Sequence, residues 1–348
     1  MSEAYLAEIA EQPGILDRLG SRFEAAWGEA LAGVRARLAA GDFDRVLLTG
    51  MGGSLHGAHP AHLALSRALS VPVLLWETGE LTQQAPEVVT PRTLVIAISQ
   101  SGESGEVKRL TELGTRPGCV IAITNASANT LANWADVAIA TEAGPERTAS
   151  TKTYTAGLAA LHLTVAHLTG RKGAAAEVQA VARTVADLIE RLPAATEAAA
   201  AHLGHTAPLT VIGRGDSFGS AAMAALLIEE AAKLPCEPLT GGQFRHGPLE
   251  LVRDGFRAVV FPCDGAARPL TEAIVERITA LGGRVVTIGT DPGTASEAVL
   301  PVALPEVAPG LLPVVEILPV QFLVIPLALA RGFEPAAFLN AQKITTGE

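Results

Sequence analysis

The chain has 348 residues, 49% hydrophobic and 18% charged, a length that accommodates two ordinary domains and a composition that excludes a disordered chain. A formal charge of −10 and an isoelectric point near 5.4 argue against broad nucleic-acid binding, so an anionic ligand has to be held by local amides, hydroxyls and single cations. Cys119, Cys236 and Cys263 are odd in number and lack CxxC spacing, which predicts a reducing, cytoplasmic setting with neither a disulfide framework nor a zinc site.

The opening MSEAYLAEIAEQPG is acidic, has no basic stretch ahead of an apolar core, and does not read as a signal peptide. Residues 1 to 45 carry helical patterns that stop at Gly41-Asp42-Phe43-Asp44. Val46 to Thr49 predict a strand, followed by Gly50-Met51-Gly52-Gly53-Ser54 and a helix with Leu63, Leu65 and Leu69. Leu55 breaks the dinucleotide fingerprint and no Gly-Lys-Ser/Thr occurs, so these glycines are expected to let backbone approach a small ligand, with Ser54 at the helix start. His56, His59 and His62 walk around that helix at a spacing of three, Pro60 is expected to interrupt it, and the spacing argues against a metal site. A short strand is expected from Val71 to Leu75, with Pro72 at its start.

Val95 to Ile98 form an unbroken apolar run, the signature of a strand buried on both faces of a parallel sheet. Ser99-Gln100-Ser101-Gly102-Glu103-Ser104 follow, and a helical face opens with Val107, Leu110 and Leu113. One serine suffices to cap a helix. Three hydroxyls, an amide and a glycine at a strand-to-helix junction, where helix amides point outward unpaired, predict an anion site for a phosphate. Strands are also expected at Cys119 to Thr124 and Val137 to Ile139. The polar loop 144–152 then enters a helix, with Ser150 and Thr151 readable as caps or as sugar contacts. From Gly173 to His205 the chain reads as an alanine-rich helical connection.

A second copy then appears. Leu209 to Ile212 with Gly213-Arg214-Gly215-Asp216-Ser217 repeats the pattern of 46 to 54, Ala258 to Phe261 repeats 94 to 98, and Val285 to Gly289 repeats 120 to 124. All lie about 164 residues downstream. Two tandem α/β domains of one design are expected. The second copy has Pro262-Cys263-Asp264-Gly265 where the first has its serines, so phosphate is expected in the first half only. Glu229, Glu230 and His246 lie in this half; proton transfer suits Glu230 and His246, and a solvated glutamate with a loop histidine fits the spacing equally. Leu311 to Ala330 is apolar enough to raise a membrane span, but Glu316, Gln321, Pro313, Pro319 and Pro326 predict a buried, irregular core helix. The tail from Asn340 to Glu348 reads as a surface segment, unless it folds over the first domain's pocket and brings the Lys343 amine to a sugar carbonyl.

Taken in order, Thr49 to Ser54, Ser99 to Ser104, Ala149 to Lys152, Arg245 to Leu249 and Asn340 to Glu348, with Glu8 to Pro13 at the start, resemble the sugar isomerase (SIS) domain family, and within it the isomerase half of the glucosamine-6-phosphate synthases. The resemblance covers the whole chain. It implies two flavodoxin-like subdomains over 1–185 and 186–332 with a tail at 333–348, a homodimer with shared active sites, a sugar-phosphate ligand, and no metal or organic cofactor, nucleic acid or membrane partner. By position, Ser54, Ser99, Gln100, Ser101 and Ser104 resemble phosphate holders, with Ser150 beside the sugar. Met51, Gly52, Gly53 and Thr148 lie in the same loops and join the expected binding set. Glu230 resembles the proton-shuttling glutamate, His246 the ring-opening histidine supplied by a neighbouring subunit, and Lys343 the tail lysine that forms a Schiff base. The implied activity is an aldose–ketose isomerase or amino-sugar-phosphate deaminase working through an enediol or Schiff base. A fructosamine-6-phosphate deglycase and a non-catalytic sensor are the alternatives. The chain departs from the synthase pattern at Leu227, where a lysine assists amine chemistry, at Gly53, where a threonine stands, and at Leu339, where an arginine stands. Starting Met1-Ser2-Glu3 without a cysteine nucleophile, it is not expected to be a complete glutamine-dependent synthase.

Overall fold

A computed structural model describes residues 2–263, 265–340 and 342–343. The described residues form two compact units, one of residues 11–146, 150–182 and 340–343 and the other of residues 2–10, 147–149 and 183–339.

The chain opens with α1 (Ser2–Ala10) and α2 (Gln12–Ala39). In the unit holding the first sheet, β1 (Arg45–Gly50), α3 (Gly53–Ala68), β2 (Val73–Glu77), α4 (Thr78–Gln84), β3 (Thr93–Ile98), α5 (Gly105–Thr111), β4 (Cys119–Thr124), α6 (Thr130–Trp134), β5 (Val137–Ala140) and α7 (Lys152–Thr169) alternate strand and helix. The five strands are parallel in the order β2-β1-β3-β4-β5. Every residue of β3 and β4 is buried, which is why these strands read as continuous apolar runs and not as alternating patterns. At the edge, Trp27 Nε1 of α2 donates to the Ala138 carbonyl at 2.8 Å and Arg22 donates to the Ala140 carbonyl. These bonds cover carbonyls that an edge strand otherwise leaves open.

α8 (Ala174–Leu203) runs on to the second sheet, built from β6 (Leu209–Gly213), α9 (Ser217–Ala232), β7 (Cys236–Thr240), α10 (Gly241–Arg245), β8 (Arg257–Val260), α11 (Arg268–Ala280), β9 (Arg284–Gly289), β10 (Val299–Ala303) and α12 (Leu312–Ala330). Its order, β10-β9-β8-β6-β7, is the first sheet's order with the repeat offset applied. The fold is therefore α/β, two tandem parallel five-stranded domains of flavodoxin-like order, as the repeat predicts.

Three local expectations are corrected, while α12 is the buried core helix that the sequence predicts, with Pro319 and Pro326 inside it. α3 continues through Pro60, where an interruption is expected. Each proline removes a backbone bond, but a buried apolar face outweighs that local cost of about 3 kcal/mol: α3 packs on α7, and α12 on α9. The strand expected at Val71 begins at Val73. α5 ends at Thr111, so Leu113 lies beyond it, though still packed on the first-sheet core. α12 is long and apolar enough to cross a membrane, yet 78% of its apolar window is buried inside the structure. Its one carboxylate, Glu316, is fully buried and accepts from Ser217 Oγ at 2.7 Å and from Ser220 Oγ of α9.

Candidate functional site

In the order 2-1-3-4-5 the chain reverses direction across the sheet between β1 and β3, and ligands of open α/β sheets bind outside the strand C-termini at such a point. Gly50 at the end of β1 pairs with Ile98 at the end of β3. The loops carrying Ser54 and Ser99 to Ser104 therefore leave the sheet side by side. A Cβ on Gly50 would sit 3.0 Å from the Ile98 carbonyl oxygen, a close approach that a side chain would crowd. Ser54 stands in the first turn of α3, where its amide donates to the Met51 carbonyl at 3.0 Å and its hydroxyl is the group offered to a ligand.

The 99–104 loop is pinned at each step. Ser99 N donates to the Ile123 carbonyl at 3.0 Å, Asn125 N to the Gln100 carbonyl at 3.1 Å, and Leu131 N to the Gly102 carbonyl at 3.1 Å. Gly102 adopts φ +66°, and a Cβ there would fall 2.0 Å from Asn129 Oδ1. Ser99 Oγ accepts from Gly102 N at 3.1 Å, Ser101 Oγ from Glu103 N at 3.2 Å, and Ser104 Oγ from Val107 N at 3.3 Å. Each bond uses an oxygen lone pair and leaves the hydroxyl proton to donate. Ser104 thus caps α5, while its hydroxyl proton still suits an anion. Because α5 has only 7 residues, hydroxyls and loop amides contribute more here than the helix dipole. Glu103 is spent: its carboxylate accepts from Thr130 N at 2.6 Å and Thr130 Oγ1 at 2.9 Å, which hold it below the usual carboxylate range.

His56 follows Ser54, and burial first, then the neighbouring His59, pushes its pKa down to about 4. It is neutral near pH 7 and supplies no positive charge to this loop. His62 Nε2 pairs with the Val73 carbonyl at 3.1 Å. Among the described residues no group of three His, Cys, Asp or Glu could hold a metal ion. Cys119 is pushed up to about 11 by burial, which makes it a poor nucleophile.

In the loop after β5, Ser150 is half-buried and lies 3.3 Å from Lys343 Nζ. Lys343 also pairs with Glu146 at 2.7 Å, so the tail does return to the first unit's loops. The rest of the tail that carried motif, Ala341 and 344–348, lies outside the described residues. Glu146 escaped the sequence reading. Its only signal was a carboxylate within the polar run ahead of Ser150. Thr148 is buried, and its hydroxyl donates to Glu8, which also accepts from Arg147 N at 2.6 Å. In this structure Thr148 is engaged by Glu8 and ties its loop down. Glu11 pairs with Lys152 at 2.6 Å and Gln12 accepts from Thr155 Oγ1 at 2.8 Å. The Glu8 to Pro13 motif thus anchors the segment that bears Ser150.

In the other unit, Glu230 is half-buried near the end of α9 and His246 is exposed just after α10, with β7 between these helices in sequence. Glu229 is exposed and accepts from Cys236 N at 3.3 Å. Lys233 is half-buried: it ends α9 with φ +53° and donates to the carbonyls of Glu230 and Ala337. Burial pulls its pKa down and Glu230 opposes the shift. Leu227 is fully buried. Ser217, the repeat partner of Ser54, is turned inward onto Glu316, so the second copy has lost its switch-point hydroxyl as well as its serine loop.

SIS domain matches fall on residues 42–167 and 206–331, one on each sheet. The glutamine–fructose-6-phosphate aminotransferase (isomerizing) of Pyrococcus horikoshii is 30% identical over 351 residues, covering 99% of this chain and 57% of the relative. The chain therefore spans a little over half of that relative's length. Tagatose-6-phosphate ketose/aldose isomerase from Escherichia coli superposes with a TM-score of 0.80 at 21% identity, over 96% of both chains. Glucosamine-6-phosphate deaminase from Thermotoga maritima does so with a TM-score of 0.75 at 20% identity, over 99% of both. At these identities the two solved structures speak for the fold alone. Two family matches, each coinciding with a parallel sheet of the same order, establish that the chain belongs to the SIS domain family, with homology to the isomerase half of the glutamine–fructose-6-phosphate aminotransferases.

Proposed function

We propose that the protein interconverts the aldose and ketose forms of a hexose 6-phosphate through an enediol, with deamination of an amino-sugar phosphate as the alternative reaction of the same site. The observation that supports this most is the pinned serine loop beside the β1 loop at the switch point, a set of donors suited to a phosphate in a chain of net negative charge. In this reading Ser54, Ser99, Gln100, Ser101 and Ser104 hold the phosphate, backbone at Met51 to Gly53 closes on it, and Ser150 and Lys343 meet the sugar. Glu230 moves a proton between adjacent carbons. His246 opens the ring from a partner subunit of a homodimer, in keeping with its exposure. These two roles rest on motif position. The buried leucine at 227 removes the cation that the resemblance ties to amine chemistry. That favours isomerisation over amination, and it supports fructosamine-6-phosphate deglycation as the second reading. Three free cysteines suit a cytoplasmic enzyme.

The test is a panel of hexose and amino-hexose 6-phosphates followed for ketose formation and ammonia release, with carbon-bound hydrogen exchange read in deuterium oxide. Glu230→Gln keeps the side chain's size and removes the base. Turnover should fall about 100-fold or more while ligand binding changes little. A wild-type protein that binds a sugar phosphate tightly and exchanges no carbon-bound hydrogen is a sensor, and the isomerase reading is then abandoned.

A further inference from the structure

In the first sheet the groove beside α5 is filled. Ala122, third from the end of β4, lies in an apolar cluster with Leu110 of α5 and Leu131 of α6, and Trp134 packs against it. The segment joining β4 to β5 supplies that plug as α6. Its counterpart joining β9 to β10, residues 290–298, forms no helix. Between α11 and β9 there is instead a cavity of about 310 Å³, at the small end of the range for ligand sites.

At the position of Ala122 the second sheet has Thr287, third from the end of β9. Thr287 lines the cavity, is only 2% exposed, and its Oγ1 has no hydrogen-bond partner in the protein. A buried hydroxyl left this way costs free energy unless something that enters the cavity bonds to it. Thr271 of α11, also on the lining and fully buried, is by contrast paired with Cys263 Sγ at 3.5 Å.

The rest of the polar lining sets the charge of an occupant. Glu272, Glu276 and Asp291, all exposed to solvent, stand against a single guanidinium, that of Arg268. Arg268 is already engaged: Nε donates to Glu272 at 2.8 Å, and Nη2 donates to the Asp291 carboxylate at 2.6 Å and to its carbonyl at 3.0 Å. The guanidinium is committed to two carboxylates, and the excess of carboxylates repels an anion. We propose that this cavity is a second ligand site, for a small cationic polyol without phosphate, whose hydroxyl meets Thr287 and whose ammonium faces the carboxylates at the mouth. The site lies wholly within the second-sheet unit and does not rest on the sugar-phosphate reading of the first.

Calorimetry on the full chain at pH 7 tests it with open-chain six-carbon polyols of similar size: N-methylglucamine, a cation; sorbitol, neutral; and gluconate, an anion. N-Methylglucamine should bind at least about 10-fold more tightly than sorbitol, and gluconate should not bind. Thr287→Val puts a methyl group in place of the hydroxyl. It should weaken N-methylglucamine binding about 10-fold or more while the thermal midpoint holds or rises, and Thr287→Ser should keep the affinity. Glu276→Gln should narrow the preference over sorbitol. Ser99→Ala/Ser101→Ala should leave N-methylglucamine affinity within about 2-fold, because those serines belong to the other sheet. A cavity that takes water alone gives no saturable binding of N-methylglucamine, and that result overturns the site, as does binding undiminished in Thr287→Val. Gluconate binding as tight as that of N-methylglucamine, and equally sensitive to Thr287→Val, overturns the cationic class.

Discussion

Ser99 and Ser101 each do two things, accepting a loop amide and keeping a proton to donate, and their removal should be felt mainly by an anion. Hydrogen bonds to charged groups contribute about 1.5–3 kcal/mol each, so Ser99→Ala/Ser101→Ala is expected to weaken fructose 6-phosphate binding by about 100-fold or more with the fold intact. Unchanged affinity by calorimetry would remove the phosphate from this loop. His56 makes a second, pH-dependent prediction. Its folded pKa, about 4, lies below the ordinary 6.5, so the unfolded chain binds the extra proton between those values. Stability should be unaffected above pH 6.5, fall as pH drops from 6.5 toward 4, and level off below, by at most about 3 kcal/mol. The thermal midpoint of the wild type should fall relative to that of His56→Gln as pH drops from 7 to 4, and a difference that stays constant with pH would exclude this histidine as the cause.

α12 shows how an element can look like one thing by composition and be another by packing. Nearly all of its inward residues are apolar, and the one carboxylate, Glu316, is satisfied by Ser217 and Ser220 in the first turns of α9. Glu316→Ala would leave two buried hydroxyls without that acceptor and open a cavity, which predicts a loss of about 2–4 kcal/mol and a thermal midpoint lower by roughly 5–10 °C. A shift under 1 °C would show that the serines find other partners at no cost. β7 and β10 teach the converse. Both lie at sheet edges and contain prolines, Pro238 and Pro301, so neither has the apolar run that exposed β1, β3 and β4 in the sequence.

For the whole molecule, the proposed role of His246 makes assembly part of the chemistry. If each site takes its histidine from a partner subunit, mixing Glu230→Ala and His246→Ala subunits restores activity to a fraction of the sites through heterodimers. The expected outcome is recovery of up to about a quarter of wild-type activity after verified subunit exchange, since one heterodimer site in two is intact and half the dimers are mixed. No recovery would count against a shared site.

The tandem repeat, the central strands, the serine loop and the five ordered motifs were legible in the sequence, because a buried parallel strand must be continuously apolar and a phosphate loop must concentrate hydroxyls and glycines in a few residues. The continuity of α3 through Pro60 was not, because local cost points one way and the packed face the other. β7 and β10 at the edges of the second sheet, the anchoring work of Glu8, Glu11 and Gln12, and the Glu146–Lys343 pair were likewise decided only by the tertiary structure. Glu146 and Lys343 are nearly two hundred residues apart in sequence. No periodicity records which buried carboxylate an ammonium will find: that choice is made by desolvation and by the donors already assembled around the anion.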